Sequence, residues 1–101
     1  MNYTVNLSPP AKEDLWHYIE GGLEFGDDIP GVILDAFDHC VSILKDTPKA
    51  GSGNLPFLPS KYRALHLWKH YWLIYQFSEQ KSLVNIEYIV DDRQNYVSFV
   101  K

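Results

Sequence analysis

The sequence predicts an α+β fold with the order β-α-α-β-β-β, in which a helical hairpin packs on one face of an antiparallel sheet. Residues 9–44 place apolar side chains three and four positions apart, which is the period of amphipathic helices. Residues 61–90 alternate aromatic or aliphatic side chains with polar ones over three runs, which indicates an antiparallel meander. Because 101 residues support one core, we expect a single domain over residues 1–101.

A short strand is predicted at residues 2–7, and a helix follows at residues 9–20. Ser8 stands before two prolines, which is typical of an N-cap followed by a first helical turn. Two glycines, at positions 21 and 22, are expected to end or loosen this helix. Its predicted buried side chains are Ala11, Leu15, Tyr18 and Ile19.

A second helix is predicted between Asp27 or Asp28, which can cap it, and a Thr-Pro pair at 47–48 that stops it. Its predicted apolar stripe is Ile33, Phe37, Cys40, Val41 and Leu44. Residues 48–60 hold three prolines and two glycines, which indicates an irregular loop. Strands are then predicted near 62–68, 71–77 and 83–90, and the tail from residue 91 is predicted as a short helix or an extended piece.

Charge is divided unevenly along the chain. Residues 1–50 carry nine Asp or Glu and three Lys or Arg, whereas residues 51–101 carry four and six. The net charge of −4 disfavours a dedicated nucleic-acid binder, since such proteins neutralise phosphates with surplus Lys and Arg. The positive surplus of the second half keeps a nucleic-acid target open, and we expect function on this basic, aromatic sheet.

The remaining composition argues against disulfides, metals and membrane insertion. Cys40 is alone and lies on an apolar stripe, so we expect a buried thiol and no internal disulfide. His66 and His70 are separated by roughly 13 Å on a strand, so we expect no metal site shared by these two histidines. Without a signal-like segment or an apolar run near about 20 residues, we expect a cytoplasmic protein with no membrane span.

Three segments carry a family resemblance: VNLSPPAKEDLWHYIE at the start, KYRALHLWKHYWLIYQF in the predicted hairpin, and IVDDRQNYVSF near the end. In this order they resemble the RelE/ParE superfamily of bacterial toxin-antitoxin toxins over nearly the whole chain. The first is similar to a strand followed by Ser or Thr, Pro, Ala and an acidic helix. The second is similar to an Arg-x-Leu strand followed by a Tyr-rich strand, and the third to a basic residue followed by an acid or amide and an aromatic.

The resemblance implies a cognate antitoxin as partner, and either a homodimer or a hetero-oligomer with that antitoxin. It also implies one of two activities. RelE-like members cleave messenger RNA on the ribosome with a basic, Tyr-containing sheet face, whereas ParE-like members lack it and poison DNA gyrase. A metal-free ribonuclease must activate a 2′-hydroxyl, stabilise a charged phosphorane and protonate a leaving oxygen. The side chains that could supply this chemistry are Lys61, Arg63, His66, Lys69, His70, Arg93 and Tyr96. Of these, Arg63 and Arg93 would stabilise the phosphate, and Tyr96 or a histidine would transfer the proton.

The acidic chain and the Asp91-Asp92 pair depart from the ribonuclease pattern, because carboxylates repel an RNA phosphate. We therefore expect a ParE-like toxin that binds a protein target such as DNA gyrase, and this likeness implies no catalysis, no metal and no cofactor. A RelE-like ribonuclease and an inactivated binding module are the alternatives. Arg63 and Arg93 also fit an ordinary role in surface ion pairs worth about 0 to 1 kcal/mol.

Two binding surfaces are predicted. The target-binding surface comprises Lys61, Arg63, Trp68, Lys69, Arg93 and Tyr96. A strand without a bulge would place Trp68 on the side of Ala64 and His66, and the sheet face opposite the helices is expected to stay free for docking. The antitoxin is expected to fold as a basic amphipathic helix on the helical hairpin, at Trp16, Glu20, Glu24, Asp35 and Asp38.

Overall fold

The computed structural model describes residues 2–53 and 59–93. Its elements are β1 (Thr4–Leu7), α1 (Pro9–Gly22), α2 (Ile29–Asp46), a 3-10 turn (Pro48–Ala50), β2 (Arg63–Trp68), β3 (Tyr71–Ser78) and β4 (Leu83–Asp91). The sheet has the strand order β1-β4-β3-β2. The last three strands form the expected antiparallel meander, whereas β1 is parallel to β4, so the α+β fold is confirmed with a sheet that is mixed at one edge. The predicted tail beyond residue 93, with Tyr96, lies outside the described residues.

Ser8 starts α1 as predicted and also ties the helix to the sheet. Its Oγ accepts a hydrogen bond from the amide of Ala11 at 3.2 Å and donates one to the carbonyl of Glu87 at 2.7 Å. The helix runs to Gly22, two residues past its predicted end, because Gly22 is buried against α2. A side chain at this position would lie 3.0 Å from Ile29, so close helix packing overrides the low helix propensity of glycine.

The second helix begins where predicted, although without the predicted cap. Asp28 occupies the N-cap position of α2, but its side chain makes no capping hydrogen bond. Three residues of the predicted stripe, Ile33, Cys40 and Leu44, are buried. Neither described helix is long and apolar enough to cross a membrane.

The main core lies between the helical hairpin and one face of the sheet, and we call it the helix-side cluster. Its buried members include Ala11, Leu15, Ile19, Ile33, Cys40, Leu44, Leu67, Tyr71, Leu73, Tyr75, Val84, Ile86 and Ile89. The Cys40 thiol donates to the carbonyl of His66 at 3.4 Å, which fixes the predicted buried thiol against β2.

The sheet face opposite the helices is not as free as expected. Four side chains on it, Tyr62, Ala64, Ile74 and Val90, form a second cluster in which each is at most 5% exposed. Trp72 and Tyr88 pack against this cluster and are half-buried. Docking on this face would therefore involve its rim more than these four side chains.

Two β-bulges set which side chains face the helices. In β2, His66 pairs with Trp72 and Trp68 pairs with Tyr71, so Leu67 is an extra residue. Both Leu67 and Trp68 consequently pack on the helix-side cluster, and the predicted alternation that placed Trp68 beside His66 is wrong. In β4 the corresponding extra residue is Glu87, which allows the residues at 86 and 89 to face the helices together.

Candidate functional site

The β2–β3 turn and the end of β4 meet at one corner of the sheet. Lys69 in the turn has a φ of 50°, in the left-handed region, and its carbonyl accepts a hydrogen bond from His66 Nε2 at 2.7 Å. The amide of Asp92 donates to the carbonyl of His70 at 2.8 Å. These backbone contacts bring the turn residues close to Arg93.

Arg93 is held by a buried carboxylate two residues earlier. Its Nε and Nη2 donate to Asp91 Oδ1 and Oδ2 at 3.1 Å and 2.8 Å, and its amide donates to Oδ1 at 2.9 Å. The hydrogen bonds from the Arg93 side chain lower the pKa of Asp91, although burial opposes the shift. Asp91 is thus a counter-ion that fixes the guanidinium, so Arg93 does take part in an ion pair.

Asp92 is occupied by two different donors. Its Oδ1 lies 3.0 Å from His70 Nδ1, and its Oδ2 accepts a hydrogen bond from Trp72 Nε1 at 3.0 Å. The Asp91-Asp92 pair is therefore not a bare anionic patch, because each carboxylate has local partners. The contact between Asp92 and Trp72 could not be predicted from the sequence, since it depends on the turn geometry of both strands.

A pocket of about 150 Å³ opens at this corner. Its lining residues are Phe25, Trp68, Lys69, His70, Tyr71 and Arg93. We call it the corner pocket. The ring of Tyr71 forms its inner wall and stacks on Tyr18 of α1, with ring centres 4.3 Å apart. Burial raises the pKa of Tyr18 to about 12, so this phenol stays protonated at neutral pH.

Arg63 lies outside the corner pocket and forms hydrogen bonds with the loop after α2. Its Nη2 donates to the carbonyls of Lys49 and Gly51 at 3.0 Å and 2.7 Å. Tyr75, its partner on β3, is fully buried; its hydroxyl donates to the carbonyl of Pro48 and accepts from the amide of Gly51 at 3.0 Å. Arg63 therefore bonds to backbone carbonyls and forms no ion pair with any residue that the structure describes, unlike the alternative role that the sequence allowed.

The predicted target-binding residues divide into two locations. Trp68, Lys69 and Arg93 line the corner pocket, while Arg63 pairs four positions further along β3, roughly 13 Å away. Lys61 is exposed, with its ammonium 5.0 Å from the centre of the Tyr62 ring. Tyr96 is outside the described residues, so its place relative to these groups stays a prediction.

Two lining residues of the pocket, Phe25 and Tyr71, were not predicted, whereas His70 was among the candidates for ribonuclease chemistry. Phe25 is 66% exposed beside Gly26 in the connection between the helices, and an aromatic side chain in such a turn is a signal that sequence reasoning could have used. His70 lies in the predicted turn between β2 and β3, and Tyr71 is the first residue after it. The bulge at Leu67 could not be foreseen, and it is what brings Trp68 to the pocket.

The predicted antitoxin-binding residues are all exposed. Trp16 is 55% exposed, and the four acids, at 20, 24, 35 and 38, are exposed as well. Residues 13–44 contain eight Asp or Glu and no Lys or Arg. The exposed large apolar side chains of the described residues also lie here: Trp16, Leu23, Phe25, Val32 and Leu34. The helical hairpin thus combines negative charge with accessible apolar surface.

We find no candidate metal site in the part of the chain that the structure describes. No three His, Cys, Asp or Glu side chains in residues 2–53 and 59–93 are grouped so as to hold a metal ion. The six lining side chains of the corner pocket can supply hydrogen bonds, charge pairing and ring packing.

No protein-family model matches the chain, and no curated protein matches it by sequence. Solved structures do match. One is a chain of the RelBE2 toxin-antitoxin complex from Mycobacterium tuberculosis, with a TM-score of 0.64 and 20% identity, covering 90% of this chain and 99% of that one. Another is a chain of the chromosomal ParDE toxin-antitoxin system from P. aeruginosa, with a TM-score of 0.67 and 15% identity, covering 88% and 95%. The likeness at these identities establishes the fold, as the resemblance implied.

Proposed function

We propose that this protein is the toxin of a type II toxin-antitoxin module and that it acts like ParE, by binding a protein target such as DNA gyrase. The support for a toxin is the fold shared with chains of the RelBE2 and ParDE systems over nearly the whole of each chain. An antitoxin encoded by a neighbouring gene would hold the protein inactive. The finer assignment to a protein target comes from the chemistry of the two arginines.

The observation that carries this assignment is that both candidate catalytic arginines are already engaged and lie apart. Arg93 is paired side-on with Asp91, whereas Arg63 bonds to two loop carbonyls. Along β3, the backbone partner of Arg63 lies roughly 13 Å from that of Asp91. Stabilising a phosphorane needs several donors aimed at one developing charge. A carboxylate directly beside one of the two donors weakens that stabilisation, so the arrangement favours a binding surface over a ribonuclease.

The acidic helical hairpin is the surface that we assign to the antitoxin. A basic amphipathic helix would place its apolar stripe on Trp16 and its Lys and Arg side chains beside Glu20, Glu24, Asp35 and Asp38. Such an antitoxin segment is disordered alone and folds on the toxin. The gene to look for is a short neighbour that encodes a DNA-binding N-terminus and a polar tail.

Induction of the chain in cells tests the target. We expect growth arrest with supercoiling defects and DNA breaks, and no codon-phased cleavage of messenger RNA when transcript ends are mapped. Arg93→Ala is the informative variant, because Arg63→Ala would also disturb the loop that Arg63 holds. Lys81→Ala is the matched control, since this exposed lysine lies in the β3–β4 turn.

Two outcomes would overturn the ParE-like assignment. Codon-phased cuts that appear with the wild type and vanish with Arg93→Ala, but persist with Lys81→Ala, would establish a RelE-like ribonuclease. Absence of any growth phenotype, together with a tight antitoxin complex, would identify an inactivated toxin fold that serves as a binding module.

A further inference from the structure

The corner pocket combines aromatic rings with nitrogen donors, and none of its described lining residues is acidic. The rings are Phe25, Trp68 and Tyr71, and the donors are Lys69, His70 and Arg93. The nearby carboxylates face other groups: Asp91 is 5% exposed beneath Arg93, and Asp92 is occupied by His70 and Trp72. A ligand entering this pocket would therefore meet rings and cationic groups first.

Two of these donors remain available to a ligand. Among the described residues, Lys69 makes no ion pair, and its ammonium lies 5.0 Å from the centre of the Trp68 ring. Arg93 uses Nε and Nη2 on Asp91, which leaves Nη1 with no described partner. Because the Arg93 side chain is 57% exposed and its carboxylate partner only 6%, the ion pair presents a positioned guanidinium to solvent.

The size of the pocket limits what can occupy it. Sites for whole small molecules usually measure about 300 to 1,000 Å³, whereas a cavity near 150 Å³ accommodates one benzene ring. At about 150 Å³, the corner pocket admits one aromatic or large apolar side chain, with any charged group left at the rim. A nucleotide, with base, sugar and phosphate, exceeds that volume.

We propose that the corner pocket binds a protein segment in which an aromatic side chain is flanked by carboxylates. The ring would pack against Phe25, Trp68 and Tyr71, and a carboxylate would pair with Lys69 and Arg93 Nη1. This occupant is acidic, so it is distinct from the basic helix assigned to the acidic hairpin. The inference rests on the proposed function only in identifying the segment as part of the toxin's protein target, since binding itself does not require toxicity.

Peptide titration of the purified chain, followed by NMR, tests the inference. The probe is acetyl-Gly-Glu-Phe-Glu-Gly-amide, and the controls are the same peptide with Lys in place of both Glu, and with Ala in place of Phe. We expect the probe to shift the indole N–H of Trp68 and the ring signals of Phe25, and to bind about tenfold more tightly than either control. Equal binding of all three peptides, or no shift at these groups, would refute the site.

Matched variants locate the binding. Lys69→Glu should weaken the probe about tenfold, while Lys81→Glu, with the same charge change in the β3–β4 turn, should leave binding unchanged. Phe25→Ala should also weaken it, whereas Leu23→Ala should not, because Leu23 is similarly exposed but does not line the pocket. Equal effects within either pair would overturn the assignment. Uridine monophosphate producing the same shifts where the peptides fail would identify a nucleotide site instead.

Failure of the peptide-binding inference can be distinguished from failure of the proposed toxin function. If the peptide binds but induction of the chain leaves growth unaffected, the pocket stands and the toxin assignment falls. If growth arrest and DNA breaks occur but the peptide does not bind, the toxin assignment stands and the target segment has a different chemistry.

Discussion

Hydrogen bonds of individual residues around Tyr75 hold the loop after α2 against the sheet. The Tyr75 hydroxyl, Arg63 and the backbone at positions 48–51 form one hydrogen-bonded group. Gly51 has an ordinary φ of −75°, so its importance lies in space and not in conformation. A Cβ at this position would lie 2.5 Å from the Tyr75 hydroxyl oxygen and 2.7 Å from the Ala64 carbonyl oxygen.

Gly51→Ala should therefore destabilise the protein. Overpacking at a buried contact typically costs about 1 to 3 kcal/mol, and here the Tyr75 bonds to the loop would be displaced as well. Chemical denaturation of the two proteins measures the difference in the free energy of unfolding. Gly21→Ala is the control, because a Cβ there meets nothing within 4 Å and a helical Gly→Ala change should stabilise by about 0.5 to 1 kcal/mol. Equal effects of the two substitutions would contradict this account of Gly51.

Among the elements, α1 and β4 depend on each other through polar contacts at the β4 bulge. Ser8 bonds to the carbonyl of Glu87, and the Asp14 carboxylate accepts a hydrogen bond from the amide of Ile89 at 3.2 Å. A bulge leaves backbone groups without ladder partners, so side chains from the helix supply them. Burial raises the pKa of Asp14, while the bond from Ile89 opposes that shift.

Ser8→Ala should lower the free energy of unfolding by about 1 to 2 kcal/mol, because it removes both the helix cap and the bond to the Glu87 carbonyl. Ser8→Thr keeps the hydroxyl and should retain most of the stability. Ser42→Ala, at an exposed position within α2, is the control for losing a serine hydroxyl and should change stability little. A loss with Ser8→Ala no larger than that with Ser42→Ala would argue against the dual role.

The elements were largely predictable from the sequence because their hydrophobic periods are clear. The predicted strand at 71–77 is found at Tyr71–Ser78, and the predicted β2 and β4 are equally close. The bulges at Leu67 and Glu87 were not predictable, since one extra residue leaves the alternation on either side intact. The contact of Arg63 with loop carbonyls likewise depends on a chain path that its neighbours in sequence do not reveal.

At the scale of the whole molecule, charge is segregated between the acidic helical hairpin and the corner pocket. The hairpin has no Lys or Arg between positions 13 and 44, whereas Lys69 and Arg93 lie together at the pocket. Phe25 belongs to the connection between the helices and also lines the pocket, so the two surfaces are neighbours. Their opposite charge would let the protein distinguish the proposed basic antitoxin segment from the proposed acidic target segment.

This segregation predicts two separable phenotypes. Replacing Glu20, Glu24, Asp35 and Asp38 by Lys should weaken antitoxin binding by more than about tenfold while toxicity persists, because those acids lie outside the pocket lining. Lys69→Glu should reduce toxicity while the antitoxin still binds. Growth after induction, with and without the antitoxin, and affinity measured by calorimetry at two salt concentrations would record both effects. The antitoxin affinity of the wild type should fall as salt rises, since exposed charges are screened.

Two outcomes of these experiments would show that the antitoxin binds a different surface from the one proposed. Neutralisation that survives the four reversed charges would place the antitoxin away from the helical hairpin. A common loss of toxicity and antitoxin binding in Lys69→Glu would mean that both partners use the corner pocket, and that an antitoxin acts by occupying it. Lys81→Glu should change neither readout, because it alters the same net charge within the β3–β4 turn and outside both surfaces.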